Sequence, residues 1–556
     1  MTVQAHPTYQ AHPAYQAHPA YQAHPAYQAY QAHYNRSSLM LRGWRTLCVA
    51  AVIAVVAGAL YATRLSFAPV YLIHDEVKFS LQAQSIAESG RDLNGRLFPL
   101  YFAEPEFKAG RDPVMIYLTA LALKALPLSE SAVRLPTALV GVLNCVLMFL
   151  AARGLFKSDR LGLIAAALLA LTPGHFIHSR MALSILYPLP FILAWLWCLN
   201  GCLETGSRRA LFGAGAWLGL SIYSYLGSVV MAPIYLVFAI EAVLQRQGWR
   251  DWARTGPAIV GFVVPLVPAI AWQIAYPDRF AELLGGYRLA GTGETLGHSL
   301  LGILSTDGLR MRTGLFWSFF SPSFLFVAGD SSLINSTRSI GFFPMAFAVL
   351  LPVGLLQVAR GRGWPISLAI AGGFFTAPVA AVLSGELETN RVLYVLPFGA
   401  VLATSGVERL MRARRRAIRW AVVGLLVSVP VQFAGFYADY VGGYRTRTSR
   451  WFGGNLPDAL TAVIERSSQA IYLSREIPYV DAYWRFYAIA GGRPDLIDRV
   501  EYVDGQTAPA AAPGAVIVCA TLPKSCQAVR ISADWMLLTS ISEPGGERLF
   551  ELYERR

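Results

Sequence analysis

Charged side chains are scarce in this chain of 556 residues: Asp, Glu, Lys and Arg together make up 15%, where soluble domains carry about 25%. That shortage excludes a string of soluble domains, because there is too little charge to cover their surface. Cysteine is also rare. Of six, Cys48, Cys145, Cys198 and Cys202 lie in apolar runs and read as apolar filler. No Gly-x4-Gly-Lys loop occurs, and Gly291-Thr-Gly-Glu-Thr-Leu-Gly297 has the wrong spacing for a dinucleotide fingerprint. What the chain has instead is apolar length. Hydrophobic residues make up 55% and the mean hydropathy is +0.43. Cys48–Leu60, Leu161–Leu171, Gly256–Ile274, Gly341–Val358 and Ala421–Phe433 are nearly uncharged. Such runs approach the roughly 20 residues a helix needs to cross a bilayer. The chain reads as a polytopic α-helical membrane protein.

The net charge is +13, but its placement argues against nucleic acid. Positive charge sits in short patches between apolar runs, as in Arg153/Lys157/Arg160, Arg246/Arg250/Arg254 and Arg412/Arg414/Arg415/Arg416/Arg419. Lys and Arg retained on the cytoplasmic side give that pattern, and no nucleic-acid module accompanies it. Residues 1–34 repeat Ala-His-Pro-Ala-Tyr-Gln, with His6, His12, His18, His24 and His33. Recurrent proline and missing aliphatic residues predict a disordered, low-complexity cytoplasmic tail over 1–43. It does not read as a signal peptide, because an apolar core comes only after Arg45.

About eleven spans are expected in the transmembrane part, residues 44–439: 46–63, 132–152, 161–176, 185–203, 210–226, 229–245, 256–276, 339–358, 364–384, 392–408 and 418–437. The apolar run Val114–Leu128 is short for a span and contains Lys124, so it reads as an interfacial helix in a large first outer loop, 64–131. With that choice every basic patch falls inside, whereas the short outer turns 177–184, 227–228 and 385–391 hold only Arg180 and Arg391. The N-terminus is then cytoplasmic and the C-terminus outside. A second outer loop, 277–338, carries the aromatic stretch Leu315–Phe326, suited to the membrane interface. Residues 440–556 lose the spanning character and read as a small extracytoplasmic α/β domain. In it, 470–474, 515–520 and 548–553 are strand-like and 481–489 is helical. Cys519 and Cys526 lie in this domain, and outside the cytoplasm a disulfide between them is feasible.

The chemistry-bearing cluster is Leu72-Ile-His-Asp-Glu-Val-Lys-Phe79, just beyond the first span. Asp75 and Glu76 open a helical stretch that Gly90 ends. The bland reading of Asp75 is a helix cap. The functional one is a carboxylate at the membrane surface that removes a proton from an acceptor hydroxyl.

Asp75-Glu76 followed after about 13 residues by Gly90, then Arg111-Asp-Pro-Val-Met-Ile-Tyr117, then Ser131-Ala-Val-Arg-Leu-Pro136 and Arg153-Gly-Leu-Phe156, occur in an order that resembles the membrane-embedded GT-C glycosyltransferases. More narrowly it resembles the branch of protein O-mannosyltransferases and lipid A aminoarabinose transferases. The likeness covers motifs over residues 44–276 and topology beyond. It implies a sugar donor on a polyprenyl phosphate and transfer on the extracytoplasmic face, with Asp75 as catalytic base and Glu76 beside it. It also implies a role for Asp112, beside Arg111, in shaping the acceptor or metal region. Two departures stand out. Ser179-Arg-Met-Ala-Leu-Ser-Ile185 lacks the acidic residue that family members often carry there, and Tyr223-Ser-Tyr-Leu-Gly227 replaces a frequent lysine.

A departing polyprenyl phosphate needs positive charge at the outer interface. Arg391 and Arg180 are the candidates, with interfacial anchoring as the alternative for each. His178 (with His175), Tyr223, Tyr225 and Glu388 are expected to line the acceptor cavity, Glu386 and Glu388 pairing with Arg391 or lining its entry. The sequence names no cofactor and leaves metal dependence open. Asp75, Glu76 and Asp112 are the set that could gather a divalent ion. The expected partners are a polyprenyl-linked sugar, an envelope lipid or glycan acceptor, and membrane lipids. The expected location is a bacterial inner membrane. Two other readings stand beside this one: a protein O-mannosyltransferase, and a lipid-linked sugar flippase. Acidic residues gather in the outer loops and are almost absent from the spans, which disfavours a transport path.

Overall fold

The computed structural model of the protein describes residues 25–103, 110–248, 251–275, 305–360, 365–384, 391–466, 470–504, 507–521 and 526–556. It falls into two units, Met1–Val56 and Ala57–Arg556. Helix α1, Pro25–Ala62, begins in the first. It starts at the last proline of the repeat, so residues 25–43, expected to be irregular, are helical. The reason is local: no proline follows until Pro69, and nothing in between removes a backbone donor.

Six helices among the described residues are long and apolar enough to cross a membrane: Trp44–Ala62, Glu130–Phe156, Ser184–Thr205, Ser228–Arg246, Trp252–Ala275 and Arg416–Val441. Each falls on an expected span. Trp252–Ala275 leaves Val260, Val263, Val267 and Ile274 exposed, a surface that suits lipid and not water. The other five expected spans hold shorter helices: Asp159–Ala170, Arg208–Ser221, Phe347–Arg360, the pair Ser367–Thr376 and Val379–Ser384, and Val395–Met411. Proline explains several of the breaks. Pro173, Pro344 and Pro378 fall at the gaps, and the residue before a proline is pushed out of helical geometry. Val114–Leu128 becomes the 11-residue helix Pro113–Leu123, too short to span.

Small residues let the apolar helices touch. A side-chain carbon at Gly354 would overlap the carbonyl of Leu402, and one at Gly406 the carbonyl of Leu350. Phe347–Arg360 and Val395–Met411 therefore meet backbone to backbone, where dispersion and not the hydrophobic effect holds helices together.

Beyond Val441 the chain builds a five-stranded mixed sheet: β3 (Ile471–Ser474), β4 (Val500–Val503), β5 (Val516–Ala520), β6 (Trp535–Ser542) and β7 (Arg548–Arg555), in the order β4-β3-β5-β7-β6. β3 runs parallel to β4 and β5, and β7 antiparallel to β5 and β6. β3 and β5 are buried along their whole length, so they read as continuous apolar runs. Cys519 and Cys526 are disulfide-bonded, in a cluster with Tyr472, Ile517 and Trp535. The earlier strands β1 (Phe102–Ala103) and β2 (Gly110–Arg111) form a small hairpin in the first loop. The sheet domain is fastened to the first loop. Tyr483 donates to the Leu72 carbonyl at 2.8 Å, Tyr487 to Glu130 at 2.7 Å, and Tyr71 to Glu543 at 3.2 Å.

Candidate active site

Helix α2, His74–Ser89, follows the extended residue Ile73 and ends at Gly90, whose φ of 71° is the left-handed stop that glycine accepts readily. Glu76, in its first turn, folds back so that Ile73 N–H donates to its carboxylate at 3.1 Å. The same carboxylate meets Arg134, with Nε to Oε1 at 2.9 Å and Nη2 to Oε2 at 3.1 Å. Ala182 N–H adds a fourth bond at 2.7 Å. Both charged side chains are 0% exposed. Arg134 also donates to the carbonyls of Leu65 and Pro69 at 3.0 Å and of Tyr71 at 2.6 Å, which occupies all five guanidinium N–H groups. The structure thus places Glu76, expected beside the catalytic base, in a fully buried ion pair with Arg134.

Arg180 is corrected in the same way. It is fully buried and donates to the carbonyls of Tyr61 (2.6 Å), Arg64 (2.9 Å) and Ala68 (2.8 Å). Carbonyls where a helix ends lack intrahelical partners, and a cation there satisfies them. Its charge binds the end of α1 and the turn after it, away from solvent, where a phosphate-binding group was expected.

Asp75 differs from its neighbour. Its side chain is 32% exposed, with Oδ1 3.7 Å from His74 Nε2. His74 stacks on Tyr479 at 4.3 Å, and Lys78 Nζ lies 4.5 Å from the same ring. Ile73 and His74, immediately before Asp75, line a cavity of about 630 Å3 that Arg450, Trp451, Tyr483 and Arg548 also border.

A second group surrounds Asp112, the buried residue before helix α3 (Pro113–Leu123). Ser184 donates to its Oδ2 at 2.9 Å, and Val114 N–H donates to the Tyr223 carbonyl at 3.3 Å. Tyr101 lies beside them. Burial first, then the nearby Asp112 carboxylate and Tyr223, hold its phenol well above the ordinary range. One turn joins the two groups: Arg180 grips the end of α1, Ala182 N–H holds Glu76, and Ser184 holds Asp112. This is the turn whose family-type acid is replaced by Ile185. Asp112 brings a carboxylate to its neighbour from another element.

A family model described as Dolichyl-phosphate-mannose-protein mannosyltransferase matches residues 108–272. A crystal structure of ArnT from Cupriavidus metallidurans in the apo state is similar, with TM-score 0.55 and 17% identity over 92% of this chain and 98% of that one. The same protein bound to undecaprenyl phosphate gives TM-score 0.53 and 16% identity, with the same coverage. The fold is that of these ArnT structures. A search of curated sequences gives no match.

Within this fold the remaining expected residues scatter. His178 is buried, bonded through Nδ1 to the Gly174 carbonyl at 2.6 Å and through Nε2 to Asn335 at 3.3 Å. It ties the short helix Pro173–His178 to the segment that carries Asn335. The Tyr223 hydroxyl donates to the Pro265 carbonyl at 2.7 Å and accepts from Ala269 N–H at 3.1 Å, so it bridges to the helix Trp252–Ala275. Tyr225 packs on Gly227. Arg391 is half-buried, ahead of Val395–Met411. Glu386 and Glu388 lie outside the described residues, and Arg111 is described only through its backbone in β2. Among the described residues no three His, Cys, Asp or Glu side chains form a metal-binding group. Glu76 in particular has its oxygens taken by Arg134, Ile73 and Ala182. Sequence reasoning quoted Arg134 within a motif without giving it a role. The available signal was an arginine at the start of an apolar helix, which needs a buried partner.

Proposed function

We propose that the protein transfers a sugar from a polyprenyl phosphate to an acceptor hydroxyl on the extracytoplasmic face, with Asp75 as the general base. The carrying observation is the contrast between adjacent carboxylates: Glu76 is sealed by Arg134, and Asp75 is a third exposed and directly follows His74, which lines a cavity. Asp75 takes the acceptor proton and the acceptor oxygen bonds to the anomeric carbon. The bond from that carbon to the phosphate oxygen breaks, and the electron pair leaves with polyprenyl phosphate. Attack opposite the leaving group inverts the anomeric centre. Arg391 is the residue proposed to hold the departing phosphate. The GT-C fold and the undecaprenyl phosphate bound in the similar ArnT structure support a lipid-linked donor.

A protein acceptor is the second reading, favoured by the family description matched over residues 108–272. Incubating purified protein with a polyprenyl-phospho-sugar and following release of polyprenyl phosphate tests the transferase. Comparing glycolipid and glycoprotein profiles of a deletion strain with wild type separates the acceptors. Loss confined to glycoproteins would favour the second reading.

A further inference from the structure

We propose that the cavity between the start of α2 and the C-terminal sheet binds the saccharide part of the acceptor, so that residues 449–550 select a glycan. This deepens the transferase reading and rests on it. The cavity, about 630 Å3, falls within the range of small-ligand sites, roughly 300–1,000 Å3. Ile73 and His74 place it next to Asp75.

A sugar asks for two kinds of partner: a flat apolar surface for its C–H face, and charged hydrogen-bonding groups for its hydroxyls. Both are present. Trp451 is 48% exposed, while the adjacent Phe452 is buried in the domain. The indole is thus presented to the cavity as a platform with a polar edge. Arg450, Glu476, Glu547 and Arg548 supply donors and acceptors around it, and Arg450 and Glu547 orient each other by an ion pair. Charge-assisted bonds from such groups are the strong ones.

The same lining disfavours the other occupants. Against an acyl or isoprenoid chain Glu476 and Arg548, and the ion pair of Arg450 with Glu547, would be desolvated with no new polar partner. A peptide docks by adding a strand to a sheet edge, but the edge strands β4 and β6 contribute nothing to the lining, which comes from strand ends and turns such as Thr521 and Gly453.

The test uses the full-length protein in detergent and, as probe, water-soluble oligosaccharide released by mild acid from envelopes of the producing cells, with binding measured by calorimetry. Wild type and Gly424→Leu, a substitution at a position with open space beside it, should bind alike. Trp451→Ala and Arg548→Glu should each weaken binding at least tenfold, and Trp451→Phe should restore most of it. The proposal is overturned if no oligosaccharide binds, or if both substitutions leave affinity unchanged. It is equally overturned if a polyprenyl-phospho-sugar or a serine-rich peptide displaces the probe, since the cavity would then be a donor or peptide site. Because the readout is binding and not turnover, its outcome is independent of whether Asp75 acts as the base.

Discussion

At Glu76 four hydrogen bonds converge on one fully buried carboxylate. Taking both charges out of water is costly, and good geometry offsets that cost only while both partners remain. Arg134→Met should therefore destabilise the protein by about 3–5 kcal/mol, the usual cost of stranding a buried charge. Thermal unfolding in detergent would show it as a large fall in Tm. Arg134→Met with Glu76→Leu should recover much of the loss, because no stranded charge remains. Arg134→Lys should not rescue, since an ammonium cannot reach Glu76 and three carbonyls in a planar fork. Asp75 makes the complementary case: one residue earlier in the same turn, it stays at the surface, and its replacement should spare stability.

Among the elements, the C-terminal sheet is held by contacts that respond to solution conditions. Burial raises the Glu543 carboxyl above its ordinary value, partly opposed by bonds from Asn455 N–H and the Tyr71 hydroxyl. Its folded pKa exceeds its unfolded one, so the ionised form disfavours the fold. The Glu543 contribution to stability should therefore rise as pH falls through the folded value and level off below the ordinary carboxylate range. Glu543→Gln should flatten that rise in a Tm-against-pH series. The Cys519–Cys526 bridge closes a short loop in the same sheet, and reducing it should cost about 2 kcal/mol, seen as a lower Tm in dithiothreitol.

Element by element, what the sequence made legible follows from what is local. The start of α2 and its stop at Gly90, the buried strands β3 and β5, and the short helix after Asp112 were readable because capping, apolar runs and length are properties of neighbouring residues. β4 and β6 escaped because their exposed, mixed patterns carry no clean alternation. Breaks at Pro173, Pro344 and Pro378 shortened helices that hydropathy alone drew as full spans. The pairing of Glu76 with Arg134, 58 residues apart, and the bonding of Arg180 to the end of α1 are products of tertiary folding. In sequence, a buried arginine and a phosphate-binding arginine look the same.

For the molecule as a whole, the function depends on apolar helices meeting closely enough to fix the outer loops. Gly406→Leu would drive a side chain into the Leu350 carbonyl. It should lower both the yield of folded protein and its Tm, whereas Gly424→Leu, at a site with open space, should change neither. The central claim is that one carboxylate at the rim performs the proton transfer while its neighbour only positions it. Turnover of a polyprenyl-phospho-sugar by purified Asp75→Asn, beside wild type, tests this most directly. The account predicts a rate at least about a hundredfold lower, in line with loss of a general base, with Tm unchanged. A rate near wild type in a correctly folded Asp75→Asn protein would contradict it.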